Sequence, residues 1–428
     1  MKRLLLSAAL AICFHAQFAH SAETTLPYPA DLPPLDQALG AIRQAPQTLA
    51  ARAMIEAGAA NRDSLEAGPH EWAIRVESTQ RNVNSTQGNA AQRFTEWRGT
   101  LERPLRLPGK VAIDTQIGAQ GVTQAKAAFG DAMHETARGL LKGWLGWLRE
   151  REAAHQWQLQ AQSLAKQQQA TARRVQVGDA PRLELMQSEA ATAQAQAAHE
   201  QAKLRTAVAA ADLRARFPAL TLPESITLST PQPLEGSLAQ WREHLLEHNH
   251  ELMLARSESQ RARLMASRVD AERMPDPSIG VHVGSERGGE ERLTGLSLSI
   301  PLPGQARAAN AWRETAMASA AAQREAATTA RINAEIAGSF AAAQASYESW
   351  RLAEDAAQRV EQAATLTARA RTLGEAGLGD VLLAQRQANE ARLLANSARL
   401  DALEARYRLA VDAHQLWPSP DEDHADGS

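Results

Sequence analysis

The stretch GEAGLGDVLLAQRQANEARL, residues 374–393, places three glycines in its first six positions and then runs into a proline-free helix former. Glycine reaches left-handed backbone without steric cost, so the stretch reads as a sharp reversal between two helices. The helix before it, residues 305–373, contains no proline. The same pattern stands earlier in the chain: residues 111–177 are also free of proline, and VGDAPRLELMQ (177–187) supplies Gly178 and Pro181 for a reversal. At 1.5 Å per residue, such helices are rods on the order of 100 Å long, too long for an ordinary globular domain.

The repetition extends outward from these tips. Gly374 and Val381 each follow their counterparts, Gly178 and Leu185, by 196 residues; Pro301 follows Pro104 by 197, and Gly304 follows Gly109 by 195. Each half therefore holds a helix, a strand pair, a long helix, a tip and a return helix, which is an internal duplication and not a short-repeat solenoid. The first half spans 36–216, with a β-hairpin over 71–107, a long helix over 111–177 and a return helix over 183–216. The second spans 236–417, with a helix over 237–272, a hairpin over 276–303, a long helix over 305–373 and a return helix over 380–416. Residues 217–235 link the halves. The proline-rich segment 23–35 is expected to be an extended linker, after which Asp36 is placed to cap a helix running to about residue 67.

The strands are identified by period. EWAIRVESTQ (71–80), RFTEWRGTLERPLRL (93–107), PSIGVHVGSE and RLTGLSLSIPL alternate apolar and polar side chains and carry aromatic and β-branched residues. The helices are rich in Ala, Gln, Glu and Arg, and their larger apolar residues form narrow stripes such as Leu393, Leu400 and Tyr407, with Leu403 and Ala410 three residues after the last two. A narrow stripe binds neighbouring helices and leaves much of each helix wet; taken alone it describes an antiparallel coiled coil. Two hairpins cannot shield their own edges, however, and closing them into a barrel requires further copies of the chain.

Composition excludes several classes. Forty-six Lys and Arg against 49 Asp and Glu give a net charge of −3, with 4% aromatics, so no nucleic-acid partner is expected. Residues 1–22 read as an export signal: Lys2 and Arg3, an apolar run, then small residues around Ala19, Ser21 and Ala22. The single cysteine, Cys13, falls inside it, after an Ile12 too bulky for a good lipoprotein cleavage site. A mature chain without thiols, disulfides or lipid anchor is the expectation. Beyond residue 22 no apolar run approaches the ~20 residues of a membrane-spanning helix, so a membrane could be entered only by strands. The end, 418–428, reads as a disordered acidic tail.

The order of elements, the two copies, the LPG and PLPG exits from the second strands and the tips of the form glycine, several residues, acid, Val or Leu, Leu resemble the outer membrane efflux protein family, the TolC-like channels. The resemblance covers about residues 36–417, and some members of that family serve heavy-metal exporters. It implies a mainly α fold: long antiparallel helical hairpins forming a trimeric α-barrel, and four strands per protomer in a shared twelve-stranded transmembrane β-barrel. It implies a homotrimer in outer-membrane lipid, a periplasmic adaptor (membrane fusion protein) docking at the helical tips, and an inner-membrane pump of the RND or ABC type. Substrate would pass through unchanged; neither enzyme activity nor a cofactor is implied.

By the same resemblance Asp380 stands where the periplasmic aperture is narrowed by acids, while Leu383 holds the place of a second acid, so the ring would be weaker than the family's doubled version. Asp380 also suits a helix first turn, where an acid complements the dipole, and the two roles are compatible. Gly178, Pro181, Gly374 and Gly377 make the tip turns and would help seat the adaptor; backbone geometry alone is their simplest role. Glu184 occupies in the first tip the place of Asp380 in the second.

One motif points elsewhere. HLLEH, His244 to His248, matches the H-x-x-E-H pattern of a zinc-protease family, and His250 adds a third imidazole. Catalysis would also need another ligand and an enclosing pocket, and this polar helix offers neither, so a solvated helical face is expected. G-x-S-x-G, Walker and cysteine-based zinc motifs are lacking in the sequence. The competing reading is a soluble periplasmic coiled-coil scaffold or adaptor. The two divide on Trp72, Ile74, Val76, Ile279, Val281 and Val283, which a duct turns to lipid and a scaffold buries against helices.

Overall fold

The computed structural model describes residues 28–417 apart from 86, 87 and 89; the expected export signal and acidic tail lie outside the described residues. Helix α1 (Leu35–Arg43) starts the fold, with Pro34 as its N-cap, and Asp36 sits in its first turn, not at the cap. The single helix expected to residue 67 is two, because α2 (Pro46–Ala67) begins at a proline. Pro46 clashes with a helical conformation at the residue before it, and Ala45 is accordingly extended at φ −61°, ψ 138°.

Strands β1 (Ala73–Val83) and β2 (Gln92–Pro104) follow, then α3 (Pro108–Gln176) and α4 (Arg182–Arg216). After an irregular segment come α5 (Leu238–Glu247), α6 (His250–Ala271), β3 (Ser278–Glu286), β4 (Glu291–Ser299), α7 (Gln305–Thr372) and α8 (Leu378–Asp412). The helix read over 237–272 is interrupted: Asn249 turns the chain and its side chain accepts the Leu252 N–H at 2.8 Å, so α6 starts with its own cap. Helices α3 and α7 have 69 and 68 residues, and α4 and α8 have 35 each.

The four strands form one antiparallel sheet in the order β1-β2-β3-β4, so the two hairpins pair through β2 and β3. The helices run away from it. Their core lies midway along α3, where Leu140, Trp144, Leu145 and Leu148 meet Leu213 and Phe217 of the first return arm and Leu400, Leu403 and Tyr407 of α8.

The N-terminal segment is a structural part of this core. Leu32 is buried within it, the Trp144 indole N–H donates to the Asp31 carbonyl at 2.7 Å, and the Asp31 carboxylate accepts from Tyr407 Oη and Ser229 Oγ, both at 2.9 Å. From Tyr28 onward, then, the expected linker is tied to three other parts of the chain. Helix α7 by contrast buries few side chains, and Trp312, Leu352 and Leu366 on it are 79%, 61% and 65% exposed.

Candidate functional site

Cross-strand register decides what the sheet can do. Ile74 lies opposite Leu101, Leu101 opposite Val281, and Val281 opposite Leu296, giving one apolar row across all four strands. Neighbouring rows carry Val76, Gly99 and Val283, and Ile279 with Leu298. Opposed residues share a face, and alternation puts their sequence neighbours on the other. Ile74, Val76, Leu296 and Leu298 are 78%, 74%, 84% and 65% exposed, so among the described residues no helix covers this face. Trp72, just before β1, is exposed as well, with the Arg103 guanidinium over its ring at 5.5 Å.

The opposite face is polar and charged. Arg81 pairs with Glu96 at 3.1 Å and with Glu286 at 3.4 Å, Arg98 reaches Glu286 at 3.7 Å, and Arg75 reaches Glu102 at 3.5 Å. Alternation of the strands was legible in the sequence. These charge partners were not, because they join residues up to 205 positions apart.

Where strands give way to helices, one carboxylate gathers several chain segments. Asp276 accepts from Lys110 Nζ at 2.9 Å and the Leu107 N–H at 3.2 Å, and lies 3.1 Å from His70 Nε2. Beside it Asp114 accepts from Arg268 at 2.6 Å and Arg106 at 3.1 Å. No local pattern marks this junction, because its members lie up to 206 positions apart.

At the far end are the tips. Gly178 and Gly374 adopt φ +79° and +82°, and a Cβ built at either meets nothing, so it is the conformation and not the space that calls for glycine. Pro181 and Gly377 are the N-caps of α4 and α8. Asp380 is exposed and its Oδ2 accepts the Gly377 N–H at 2.9 Å, so the capping geometry is formed. Glu184 does something different from Asp380: its Oε2 accepts from Arg371 at 2.5 Å, which joins the start of α4 to the end of α7 and sets the two tips side by side. Higher up, Arg392 of α8 grips Glu361 at 2.6 Å and Glu354 at 2.9 Å on α7, and these bonds raise its pKa.

The HLLEH histidines are not on one continuous helix with His250. His244 is on α5, His248 is that helix's C-cap, and His250 opens α6, buried against α3. Among the described residues no group of three His, Cys, Asp or Glu is disposed to hold a metal ion.

No family model and no curated protein matches the sequence. Solved structures do match the fold. The Campylobacter jejuni CmeC outer membrane channel superposes with a TM-score of 0.76 at 12% identity, covering 100% of this chain and 97% of that one. The Vibrio cholerae outer membrane protein VceC gives 0.72 at 17% identity over 90% and 96% of the two chains. The open state of the Neisseria gonorrhoeae MtrE outer membrane channel gives 0.62 at 16% over 92% and 94%. The chain thus has the fold of these outer membrane channels over nearly its whole length.

Proposed function

We propose that this chain is an outer-membrane exit duct of a tripartite efflux or type I secretion system, carrying substrate passively across the periplasm and outer membrane. One observation carries the reading: an uninterrupted apolar row crosses four strands, is covered by no helix among the described residues, and backs onto an ion-paired polar face. That is the two-sidedness of a barrel wall between lipid and water, whereas a scaffold would bury the apolar row. The likeness to outer membrane channels supports it.

Three copies complete the object. Strands β1 and β4 are the outer strands of the sheet, and cyclic pairing of their free edges in three protomers closes a twelve-stranded barrel that leaves no edge. The exposed apolar side chains of α7 then meet neighbouring helices in an α-barrel. The two halves, as duplicated units, each supply one helical hairpin to that tunnel, and the tips face a periplasmic adaptor and its RND or ABC pump. Expressed in a Gram-negative host, the chain is expected in the outer-membrane fraction as a detergent-stable species near three times the monomer mass, converting to monomer on boiling. A monomer released with the soluble periplasmic contents would favour the scaffold.

Asp380, repeated about the threefold axis, lines the periplasmic aperture in this reading. Asp380→Asn removes the charge while leaving an oxygen to accept the Gly377 N–H. In planar bilayers the cation-to-anion permeability ratio is expected to fall about twofold, a modest effect because salt screens an exposed ring. An unchanged ratio would leave Asp380 as a cap alone.

A further inference from the structure

Five histidines from three separate parts of the chain meet in the body of the helical region. The His414 ring lies 5.5 Å from His134 on α3, 5.1 Å from His250 at the start of α6 and 6.2 Å from His248, centroid to centroid. His134 and His250 are 6.5 Å apart, and His244 is 5.2 Å from His248. The cluster joins three elements that share no sequence neighbourhood: α3, the α5–α6 bend and the end of α8.

Its geometry is specified twice by the backbone. Gly130 of α3 lets the His250 ring lie flat on the helix, since a Cβ there would stand 2.5 Å from His250 Nδ1. His414 adopts φ +57°. Its N–H donates to the Val411 carbonyl at 3.0 Å and the next N–H to the Ala410 carbonyl at 2.8 Å. Helices α3 and α7 end with the same pair of bonds, at Gly178 and Gly374. At the end of α8 a histidine occupies the left-handed position that glycine fills at the other two, although a Cβ disfavours that conformation.

Neutral rings can make the observed bonds. His244 Nε2 lies 3.2 Å from the Ala413 carbonyl, His248 Nδ1 3.3 Å from the His244 carbonyl, and His414 Nε2 3.3 Å from the His248 carbonyl. Each contact takes one N–H, which a neutral imidazole supplies. Few free carboxylates face the cluster. Asp412 is 3.2 Å from His134 Nε2 but is shared with Arg138 at 2.8 Å and Arg408 at 3.9 Å. Glu135 of α3 pairs with Arg138, and Glu251 of α6 with Arg331 of α7, which also holds Glu335. Glu243 and Glu247 on α5 are exposed. A cavity of about 20 Å³, roughly room for one water, lies between Leu39, Ile42, Met133, His134, His414 and Trp417.

We propose that these five histidines form an acid-released latch: neutral, they hold the α5–α6 bend and the end of α8 against α3, and protonated, they repel one another and let both go. Burial, then the neighbouring His134, lowers the His414 pKa, outweighing the bond to the His248 carbonyl and the charge of Asp412, which favour the protonated ring. A base whose folded pKa is depressed is equally neutral in both states above the ordinary value of about 6.5, and below it the released form binds more protons, so the latch weakens as pH falls. Asp131 on α3 runs the other way: burial and Glu135 raise its pKa, so acid relieves its desolvation and offsets part of the effect. Asp412 stays charged through this window, because bonds from His134 and Arg138 outweigh burial and hold its pKa low.

The test is hydrogen exchange of the purified full-length chain, corrected for intrinsic rates, at pH 7.5 and 5.5. Peptides covering residues 242–252 and 408–417 are expected to exchange about tenfold faster at pH 5.5, the result of one extra proton bound over about one unit below the histidine pKa. Peptides from the tips should not change. His414→Gly keeps the helix end in its preferred left-handed geometry and removes the central ring, so this variant folds and its acid response should shrink several-fold. Equal protection at both pH values, or an undiminished response in His414→Gly, would overturn the latch. Protection that rises at neutral pH on adding stoichiometric Zn²⁺ and reverses with chelator would overturn it in favour of an ion site.

Discussion

Val281→Arg is expected to abolish recovery of the trimer from the outer-membrane fraction, whereas Thr79→Arg leaves it intact. Val281 stands near the middle of β3, opposite Leu101 on one side and Leu296 on the other, in the apolar row. A lipid-facing arginine at mid-bilayer costs about 2–4 kcal/mol, and a threefold barrel incurs that cost three times, roughly 6–12 kcal/mol in all. This rivals the whole stability of an ordinary domain. Thr79 lies on the other face, opposite Glu96, where a new cation meets water and a carboxylate. Two arginines of equal size and charge thus report on the face alone. If both variants reach the membrane, the apolar row does not face lipid and the duct reading fails at its central point.

The long-range plan was legible because it rests on local physics repeated at large scale. Proline-free runs set the lengths of α3 and α7, and Gly178 and Gly374 marked their ends because the left-handed turn is nearly closed to other residues. Two local signals break the helical pattern. Pro46 forbade a continuous helix through Ala45, and Asn249 before His250 and Glu251 is a cap-and-acid pattern that opens a new helix. Both breaks fall in sequence whose helical period continues on either side, which hides them.

The sites were less legible than the fold. Alternation placed Ile74, Val76, Ile279, Val281 and Val283 on strands, but the meeting of β2 with β3 depends on a register between segments about 180 residues apart. No local pattern encodes it. Within the hairpins Leu101 meets Ile74, and Leu296 and Leu298 meet Val281 and Ile279; only the β2–β3 register, through Leu101 and Val281, makes one apolar face of the two. The histidines show the same limit: the HLLEH spacing suggested a local pair, while His134 and His414, which complete the cluster, lie more than 100 residues from it on either side. Glu184 looked equivalent to Asp380 by position, yet its partner Arg371 comes from the other half of the chain.

Asp276→Ala is expected to destabilise the chain by about 2–3 kcal/mol, read as a lower temperature for conversion of the folded to the unfolded species. The variant leaves Lys110, 2% exposed, without its nearest carboxylate, and strips acceptors from the Leu107 N–H and from His70. Breaking a buried pair from one side costs about 3–5 kcal/mol because the remaining charge is left uncompensated. Glu272, 3.4 Å from Lys110 Nζ, offsets part of it. Replacing both partners, as Lys110→Met with Asp276→Leu, should recover much of the loss, since no lone charge is left buried. The sign with pH follows from Asp276 itself: burial pushes its pKa up, but bonds from Lys110, His70 and the Leu107 N–H outweigh burial and hold it below the usual carboxylate range. Its contribution is therefore full above about pH 3.9 and is lost as pH falls through the lower folded value, so the gap between wild type and variant closes in strong acid. A gap below about 1 kcal/mol at neutral pH would mean that Glu272 alone neutralises Lys110, and that Asp276 is a hydrogen-bond acceptor and not the counter-charge of the junction.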